Sequence, residues 1–184
     1  MAVVEKDFPE RDLRRAASMI LVTAGNATQG FRRLFEAVDK LSSEGAFGDD
    51  VVIIQSGNDS SFRASQCKQV DFFPLEQFPH AVRDADLIIC HGGAGTLHHC
   101  FAAGKVPVVM PRRVKYGEIL DDNQIGLVKA LAAEGRVIPA YEAEDLPAAI
   151  AEARWRNKQP VPPPPSRMLE LVARAIEELT NQKQ

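Results

Sequence analysis

The stretch Asp84-Ala-Asp-Leu-Ile-Ile-Cys90, followed by His91-Gly-Gly-Ala-Gly-Thr96, decides the fold of this 184-residue chain. Its first part ends in four consecutive apolar residues, which is typical of a strand buried on both faces. The glycine-rich second part leads directly into a predicted helix that extends through Ala103. A buried strand that passes through a tight loop into a helix is the repeating unit of a parallel α/β sheet.

The same alternation of strands and helices continues on both sides of this unit. Further strands are predicted at 19–25, 51–57, 70–75, 106–111 and 135–140, and helices at 31–41, 77–83, 121–133 and 144–153. We therefore predict an α/β fold: a Rossmann-like parallel sheet of about six βα units with helices on both faces.

Composition divides the chain into four parts. The α/β domain is assigned to 19–153, after a polar tail at 1–18 and before a proline-rich linker at 154–166. Residues 167–184 form a predicted amphipathic helix. This helix either docks on a partner or packs on the sheet of its own domain.

Charge and apolar content exclude several classes of protein. A net charge of −3 gives no chain-wide basic footprint for nucleic acid, and no apolar run exceeds four residues, far short of a membrane span. The N-terminal residues lack the pattern of a secretory signal, and the three cysteines form no CxxC motif. We expect a soluble, cytoplasmic protein.

The glycine loop at 91–96 is the stronger of two candidate binding loops. Ligands of such sheets bind beyond the carboxyl ends of the strands, and a helix N-terminus with nearby glycines favours an anion. His91 and Thr96 add side-chain donors beside Gly92, Gly93 and Gly95. The alternative is that the glycines only permit a tight turn. The loop matches neither a Walker A motif nor a dinucleotide fingerprint.

The second candidate loop follows the first strand, at 23–30, and contains Gly25 and Asn26. Its small polar residues are placed to reach the same anion from the neighbouring strand. The alternative is an ordinary helix cap by Asn26 or Thr28. The histidines and cysteines at 90–100 do not converge as zinc ligands do, so we expect no metal and no cofactor.

A larger set of motifs consists of His91-Gly-Gly-Ala-Gly-Thr96, Gly104-Lys-Val-Pro107, Pro111-Arg-Arg113, Gly117-Glu118 and Asp122-Asn-Gln124. Together these motifs resemble the C-terminal, nucleotide-sugar-binding half of glycosyltransferase family 28, a GT-B fold. They look most like the small catalytic subunits of two-component enzymes, of the dolichol-pathway N-acetylglucosaminyltransferase and bacterial exopolysaccharide β-1,4-glycosyltransferase types.

This resemblance implies that the domain binds a UDP-sugar. The two glycine loops would hold the diphosphate with His91 facing it, and Asp122 and Gln124 would contact the transferred sugar. His91, Asp122 and Gln124 are the expected catalytic residues. The expected substrate-binding residues are Gly25, Asn26, Phe72, Gly92, Gly93, Gly95, Thr96, His99, Arg112, Arg113, Glu118 and Asn123.

Two positions depart from the family pattern. Asn123 stands where a histidine is usual, and His99 replaces an acidic residue that accepts hydrogen bonds from the ribose in peptidoglycan-synthesising relatives. A neutral histidine accepts one hydrogen bond and cannot chelate a diol as a carboxylate does. The uracil is expected against residues 70–75, with Phe72 or Phe73 as an apolar wall, although at least one of them is expected to pack in the core.

A basic cluster of Arg112, Arg113 and Lys115 follows the predicted strand at 106–111. These side chains would neutralise the UDP leaving group, meet the diphosphate of a lipid acceptor or an anionic membrane, or remain solvated.

The implied activity is inverting sugar transfer from a UDP-sugar to a polyprenyl-diphosphate-linked saccharide. A membrane-anchored second subunit would bind the acceptor and hold this chain at the cytoplasmic membrane face, as part of exopolysaccharide synthesis. The alternatives are a non-catalytic nucleotide-binding or assembly module and a nucleotide-sugar epimerase of the same architecture.

Overall fold

The computed structural model describes residues 18–59 and 61–159. The chain forms β1 (Met19–Thr23), α1 (Arg32–Ser43), β2 (Val51–Gln55), β3 (Lys68–Val70), α2 (Phe78–Asp84), β4 (Leu87–Cys90), α3 (Ala94–Ala102), β5 (Val108–Val109), α4 (Asn123–Ala133), β6 (Ile138–Pro139) and α5 (Leu146–Asn157). Short 3₁₀ turns cover Val114–Tyr116 and Ala143–Asp145. None of the helices within these ranges has the length and apolar character that crossing a bilayer requires.

All six strands are parallel and lie in the order β3-β2-β1-β4-β5-β6. The chain builds outward from β1 in one direction, then returns to place β4 on the other side of β1. Thr23 is the register partner of Cys90 across this central pair. The loops that follow β1 and β4 therefore leave the sheet in opposite directions, which opens a crevice between them.

Helices cover both faces of the sheet, as the apolar strands predicted. One apolar cluster centres on Phe31, Leu34 and Phe35 of the α1 region, and a second on Leu97 and Val128 of α3 and α4. Leu34, Phe35 and Val38 follow helical spacing, so α1 buries one side against the sheet. The predicted fold class is confirmed.

Several boundaries differ from the sequence-based expectation; the strands expected at 106–111 and 135–140, for example, shorten to Val108–Val109 and Ile138–Pro139. Two other differences have an identifiable cause. The strand expected at 70–75 ends at Val70, because the Phe73 N–H bonds to the Gln55 side chain (3.1 Å) instead of a ladder carbonyl and Pro74 has no N–H. Helix α5 continues to Asn157, four residues into the expected linker, where the Asn157 side chain bonds both backbone groups of Val106. The tail at 1–17, the proline run and the C-terminal helix lie outside the described residues.

We expect Leu34→Ala to lower the free energy of unfolding by about 2–5 kcal/mol, because Leu34 is fully buried and its truncation leaves a cavity. The same truncation at Leu75, which is 90% exposed, should change it by less than about 0.5 kcal/mol. Urea unfolding measures both. Equal effects would contradict the placement of α1 on the sheet.

Candidate functional site

His91 occupies the crevice between the loops that follow β1 and β4. A Cβ atom on Gly25 would lie 2.6 Å from Cε1 of the imidazole, and one on Gly93 would overlap Nε2. Gly25 also has a φ of +70°, which favours glycine. The imidazole is thus enclosed by two glycines from different loops, and the structure brings these three predicted residues together.

Burial keeps His91 neutral. Only 8% of the residue is exposed, and among the described residues Nδ1 has no hydrogen-bond partner. Desolvation, followed by the positive charge of Arg112, lowers the pKa of His91 to about 4, although the backbone of Thr23 acts in the opposite direction. A neutral imidazole offers one donor and one acceptor nitrogen. At neutral pH His91 is therefore suited to hydrogen bonding and is a weak base.

The N-terminus of α3 lies immediately beyond this histidine. Gly93 is the N-cap residue and makes no side-chain cap. The first intrahelical bond is the one from Leu97 N–H to the Gly93 carbonyl, at 3.0 Å. The N–H groups of Ala94, Gly95 and Thr96 therefore have no carbonyl within the helix to bond, and they carry the positive end of its dipole. This end of α3 is suited to an anion.

The glycines of this loop differ in what they do. Gly92 has a φ of +84°, and a Cβ there would lie 3.0 Å from Val109 and 3.1 Å from Val128, so it is needed for packing. A Cβ on Gly95 would have no atom within 4 Å. The surface above Gly95 is consequently open to a ligand, whereas Thr96 is buried.

The loop after β1 is fixed by its neighbours. The Thr23 hydroxyl accepts hydrogen bonds from Gly25 N–H (3.1 Å) and the Gln55 amide (3.2 Å), and Asn58 donates to the carbonyls of Asn26 and Ala27. The N-cap of α1 is Phe31 and has no side-chain cap. The alternative that Asn26 or Thr28 caps α1 is therefore wrong.

The two phenylalanines after β3 have different environments. Phe73 is half-buried and packs against Phe78 (ring centroids 6.5 Å apart), as expected for one of the pair. Phe72 is 45% exposed and lies close to Gly57. Phe78 also contacts the ring of His99 edge to face at 5.5 Å. Phe72 is thus available to a ligand, and His99 is packed on an aromatic ring.

The predicted sugar-contacting residues also shape the loop that follows β5. The Asp122 carboxylate accepts a hydrogen bond from Val114 N–H at 2.9 Å, and the Gln124 side-chain oxygen accepts one from Arg112 N–H at 3.0 Å. Asn123 is exposed at the start of α4. Within the described part of the chain, the other Asp122 oxygen and the Gln124 amide nitrogen remain available to sugar hydroxyls.

Arg112 does not face the crevice as the sequence suggested. It is 2% exposed, and its guanidinium donates to backbone carbonyls, stacks on Phe31 (4.9 Å) and so points into the protein. Desolvation lowers its pKa, while Glu118 and Asp59 oppose that shift. The expectation that its cation meets the leaving group is corrected, because both terminal nitrogens donate to backbone carbonyls and, among the described residues, the buried Nε has no partner.

The other members of the basic cluster are paired with acidic side chains. Arg113 and Lys115 both bond to Glu142, whose second oxygen accepts from the Tyr116 hydroxyl. These bonds, chiefly that from Lys115, lower the pKa of Glu142. Glu118 is buried and forms a two-pronged ion pair with Arg33 at 2.9 and 3.0 Å. The alternative of a solvated basic loop is met in part: residues 114–117 are exposed, but the cations of Arg113 and Lys115 are paired with Glu142.

Sequence reasoning did not identify Arg33, Asp59 or Glu142. Arg33 lies on a charged helix whose cations resemble an ordinary solvated surface, and Glu142 follows the loop it neutralises by more than twenty residues. Asp59 is buried against Gly30, and no motif marks it. Among the described residues, no group of three or more His, Cys, Asp or Glu side chains is arranged to hold a metal ion.

Comparison with models of protein families identifies the family to which the chain belongs. The model for the glycosyltransferase family 28 C-terminal domain matches residues 19–179. The chain therefore belongs to this family of glycosyltransferase domains. Comparison with curated proteins gave no match.

Solved structures share the fold at low sequence identity. The glycotransferase of kitacinnamycin superposes with a TM-score of 0.59 at 19% identity, covering 76% of this chain and 35% of that chain. The spinosyn rhamnosyltransferase SpnG, complexed with thymidine diphosphate, gives 0.55 at 18% identity (76% and 38%), and MurG of Acinetobacter baumannii 0.50 at 20% (76% and 41%). This chain thus spans between about a third and two-fifths of each of these glycosyltransferases and corresponds in fold to the C-terminal half of a GT-B enzyme.

We expect His91 to make folding stability depend on pH. Its pKa is about 4 in the folded chain against 6.5 as a free side chain, so between these values the unfolded chain binds the proton and the folded one does not. Stability is therefore fully present above pH 6.5 and is lost as pH falls towards 4, by about 3 kcal/mol.

The measurement is urea unfolding across pH 4–7.5 for the wild type and for His91→Gln, which cannot titrate. Other groups titrate alike in both proteins, so the difference between the two profiles isolates His91. Parallel profiles would show that His91 is not buried in its neutral form.

Proposed function

We propose that this chain is the donor-binding, catalytic part of an inverting glycosyltransferase that uses a UDP-sugar and a polyprenyl-diphosphate-linked saccharide as acceptor. A membrane-anchored second polypeptide supplies the acceptor side and holds the chain at the cytoplasmic membrane face. The observation that carries the proposal is the convergence of two glycine loops and the open N-terminus of α3 on His91.

The diphosphate fits the α3 end of the crevice. Its negative charge faces the unbonded N–H groups of Ala94 and Gly95, and the small loops at Gly25 and Gly93 permit close approach of the backbone. SpnG, which shares the fold, is complexed with thymidine diphosphate, a ligand of the same chemical class. In this proposal Phe72, exposed beyond β3, lies against the uracil.

Catalysis here consists of stabilising the leaving group. An acceptor hydroxyl oxygen forms the new bond to the anomeric carbon while the bond from that carbon to the diphosphate breaks, and negative charge grows on the departing UDP. In this proposal the α3 amides and the neutral His91 donate hydrogen bonds to that charge, which the uncapped start of α3 and the lowered pKa of His91 support. Asp122 and Gln124 hold the hydroxyls of the transferred sugar.

The acceptor proton goes to a base outside the described residues. His91 is an unsuitable base because its pKa of about 4 makes it a weak proton acceptor. This chain covers 35% and 38% of two structurally similar enzymes, and we assign the base to the acceptor side, which the proposal attributes to a second polypeptide.

Direct attraction to an anionic membrane receives no support from the loop after β5. Arg113 and Lys115 share the single carboxylate of Glu142, and Arg33 pairs with Glu118. Asp121 and Asp122 add negative charge to the same loop. A protein anchor is therefore proposed in place of a basic membrane-binding patch.

We expect calorimetry to show that UDP binds the full chain and that Gly93→Ala weakens binding by about tenfold or more, because the new methyl group displaces His91. Gly126→Ala is the matched control, because a Cβ atom at Gly126 would have no other atom within 4 Å. Gly126 lies in α4, outside the loop that carries Gly93. Its affinity should equal that of the wild type. Absence of UDP binding, with GDP and thymidine diphosphate as comparisons, would refute the donor assignment.

We expect the purified chain alone to transfer little sugar from a UDP-sugar to a polyprenyl-diphosphate saccharide. Adding membranes from source cells that lack this chain should restore transfer, because they contain the acceptor-binding polypeptide. Radiolabelled sugar in the lipid fraction measures the product. Full activity without membranes would contradict the division between two polypeptides, and UDP binding without turnover under both conditions would favour a non-catalytic module.

A further inference from the structure

Arg112 is the largest side chain buried completely in the described part of the protein. A buried guanidinium is expensive unless its donors are satisfied, so its partners show what it does. Nη1 donates to the carbonyls of Gln29 and Gly30 at 2.9 Å and of Glu118 at 3.0 Å, and Nη2 donates to that of Ala24 at 3.2 Å.

These carbonyls belong to two different loops of the crevice. Ala24, Gln29 and Gly30 lie at the two ends of the loop that follows β1, and Glu118 lies in the loop that follows β5. One planar group therefore closes the first loop on itself and joins it to the second. The ring of Phe31, 4.9 Å from the guanidinium carbon, supports the flat face of the group.

The loop that Arg112 closes carries predicted ligand-binding residues. Gly25 and Asn26 lie between its tied ends, and Gly25 packs directly on the imidazole of His91. The helix that follows the loop begins at an N-cap without a side-chain cap, so the helix end adds no such anchor. The backbone of Arg112 also holds Gln124, through its N–H.

We propose that Arg112 is a positioning residue for the donor site: it holds the loop at 24–30 in its ligand-binding conformation and does not itself touch the ligand. This inference rests on the proposed function. It separates Arg112 from its neighbour Arg113, although the sequence presents the two as one basic pair.

A lysine at this position distinguishes positioning from direct phosphate binding. An arginine that contacts phosphate is replaced in part by lysine, because a single ammonium still attracts the anion. A planar guanidinium whose two terminal nitrogens bond four carbonyls is not, because a lysine has its three donors on one nitrogen and cannot reach the same set of partners. Positioning therefore predicts that Arg112→Lys and Arg112→Gln lose UDP affinity to a similar extent.

The experiment measures UDP affinity by calorimetry, and amide hydrogen exchange at 24–30 without nucleotide, for the wild type and both variants of the full chain. The matched control is Arg136→Lys, another buried arginine, stacked on Phe101 at 4.4 Å and located ahead of β6 at the opposite end of the sheet. This variant shows how far UDP affinity changes when a buried arginine outside the site is replaced by lysine.

We expect both Arg112 variants to bind UDP about tenfold or more weakly, with faster exchange at 24–30, while Arg136→Lys stays within about twofold of the wild type. Wild-type affinity in Arg112→Lys, or a loss confined to Arg112→Gln, overturns the proposal and leaves the proposed function intact. A wild type that binds no UDP instead refutes the proposed function, and the positioning proposal with it.

A second measurement on the wild type covers the case in which the Arg112 variants fail to fold. In arginine-labelled protein, the guanidinium protons of Arg112 should exchange slowly with solvent, and their NMR signals should keep their positions when UDP saturates the chain. The signals are assigned with the help of Arg136→Lys, which removes those of the other buried guanidinium. Large UDP-dependent shifts at Arg112 would mean direct contact and would overturn the proposal.

Discussion

The imidazole of His91 packs directly against the backbone of Gly25 and of Gly93, because neither residue has a side chain. The crevice depends on this close approach of the ring to the two loops. Gly25 and Gly93 come from loops that follow adjacent central strands, so the parallel pairing of β1 with β4 brings them together. The same contact buries the histidine and lowers its pKa. The absence of a side chain at Gly25 and Gly93 therefore accounts for the packing of His91, for its neutral state and for the shape of the crevice.

The charged side chains of the neighbouring loop after β5 lie at two depths in the protein. Arg112 lies inside and bonds carbonyls, whereas Arg113 and Lys115 lie nearer the surface and bond Glu142. Glu118 connects the two depths, because its carboxylate pairs with Arg33 and its carbonyl accepts from Arg112. The loop after β5 is consequently held by several charge-assisted bonds on both sides and has a defined shape before a ligand arrives.

Much of the fold was predictable because it depends on local patterns. Runs such as 51–54 and Leu87–Cys90 are apolar throughout, which indicates strands covered on both faces, and Leu34, Phe35 and Val38 follow the helical period. The glycine loop was also visible, since a cluster of glycines is a local signal with a local cause. Errors occurred where a strand or helix end depends on a distant partner, as for Asn157 and Val106.

The orientation of the basic residues was not predictable for the same reason. Arg112 and Arg113 are identical and adjacent, but one meets carbonyls that lie about eighty residues earlier and the other meets Glu142, 29 residues later. Neither the composition of the chain nor the spacing of its residues indicates which distant groups these two arginines contact. Asp59 is a further example, because a single aspartate in a polar loop resembles a solvated residue until the fold buries it.

The strand order also has a consequence for the folding of the newly made chain. One wall of the crevice comes from residues before 31 and the other from residues after 87, and they meet only when the returning chain inserts β4 beside β1. Each half supplies only one wall, so a ligand that needs both walls would bind only molecules in which both halves have assembled. Occupancy of the cleft would thus protect completed domains from proteolysis while leaving nascent or half-folded chains exposed to it.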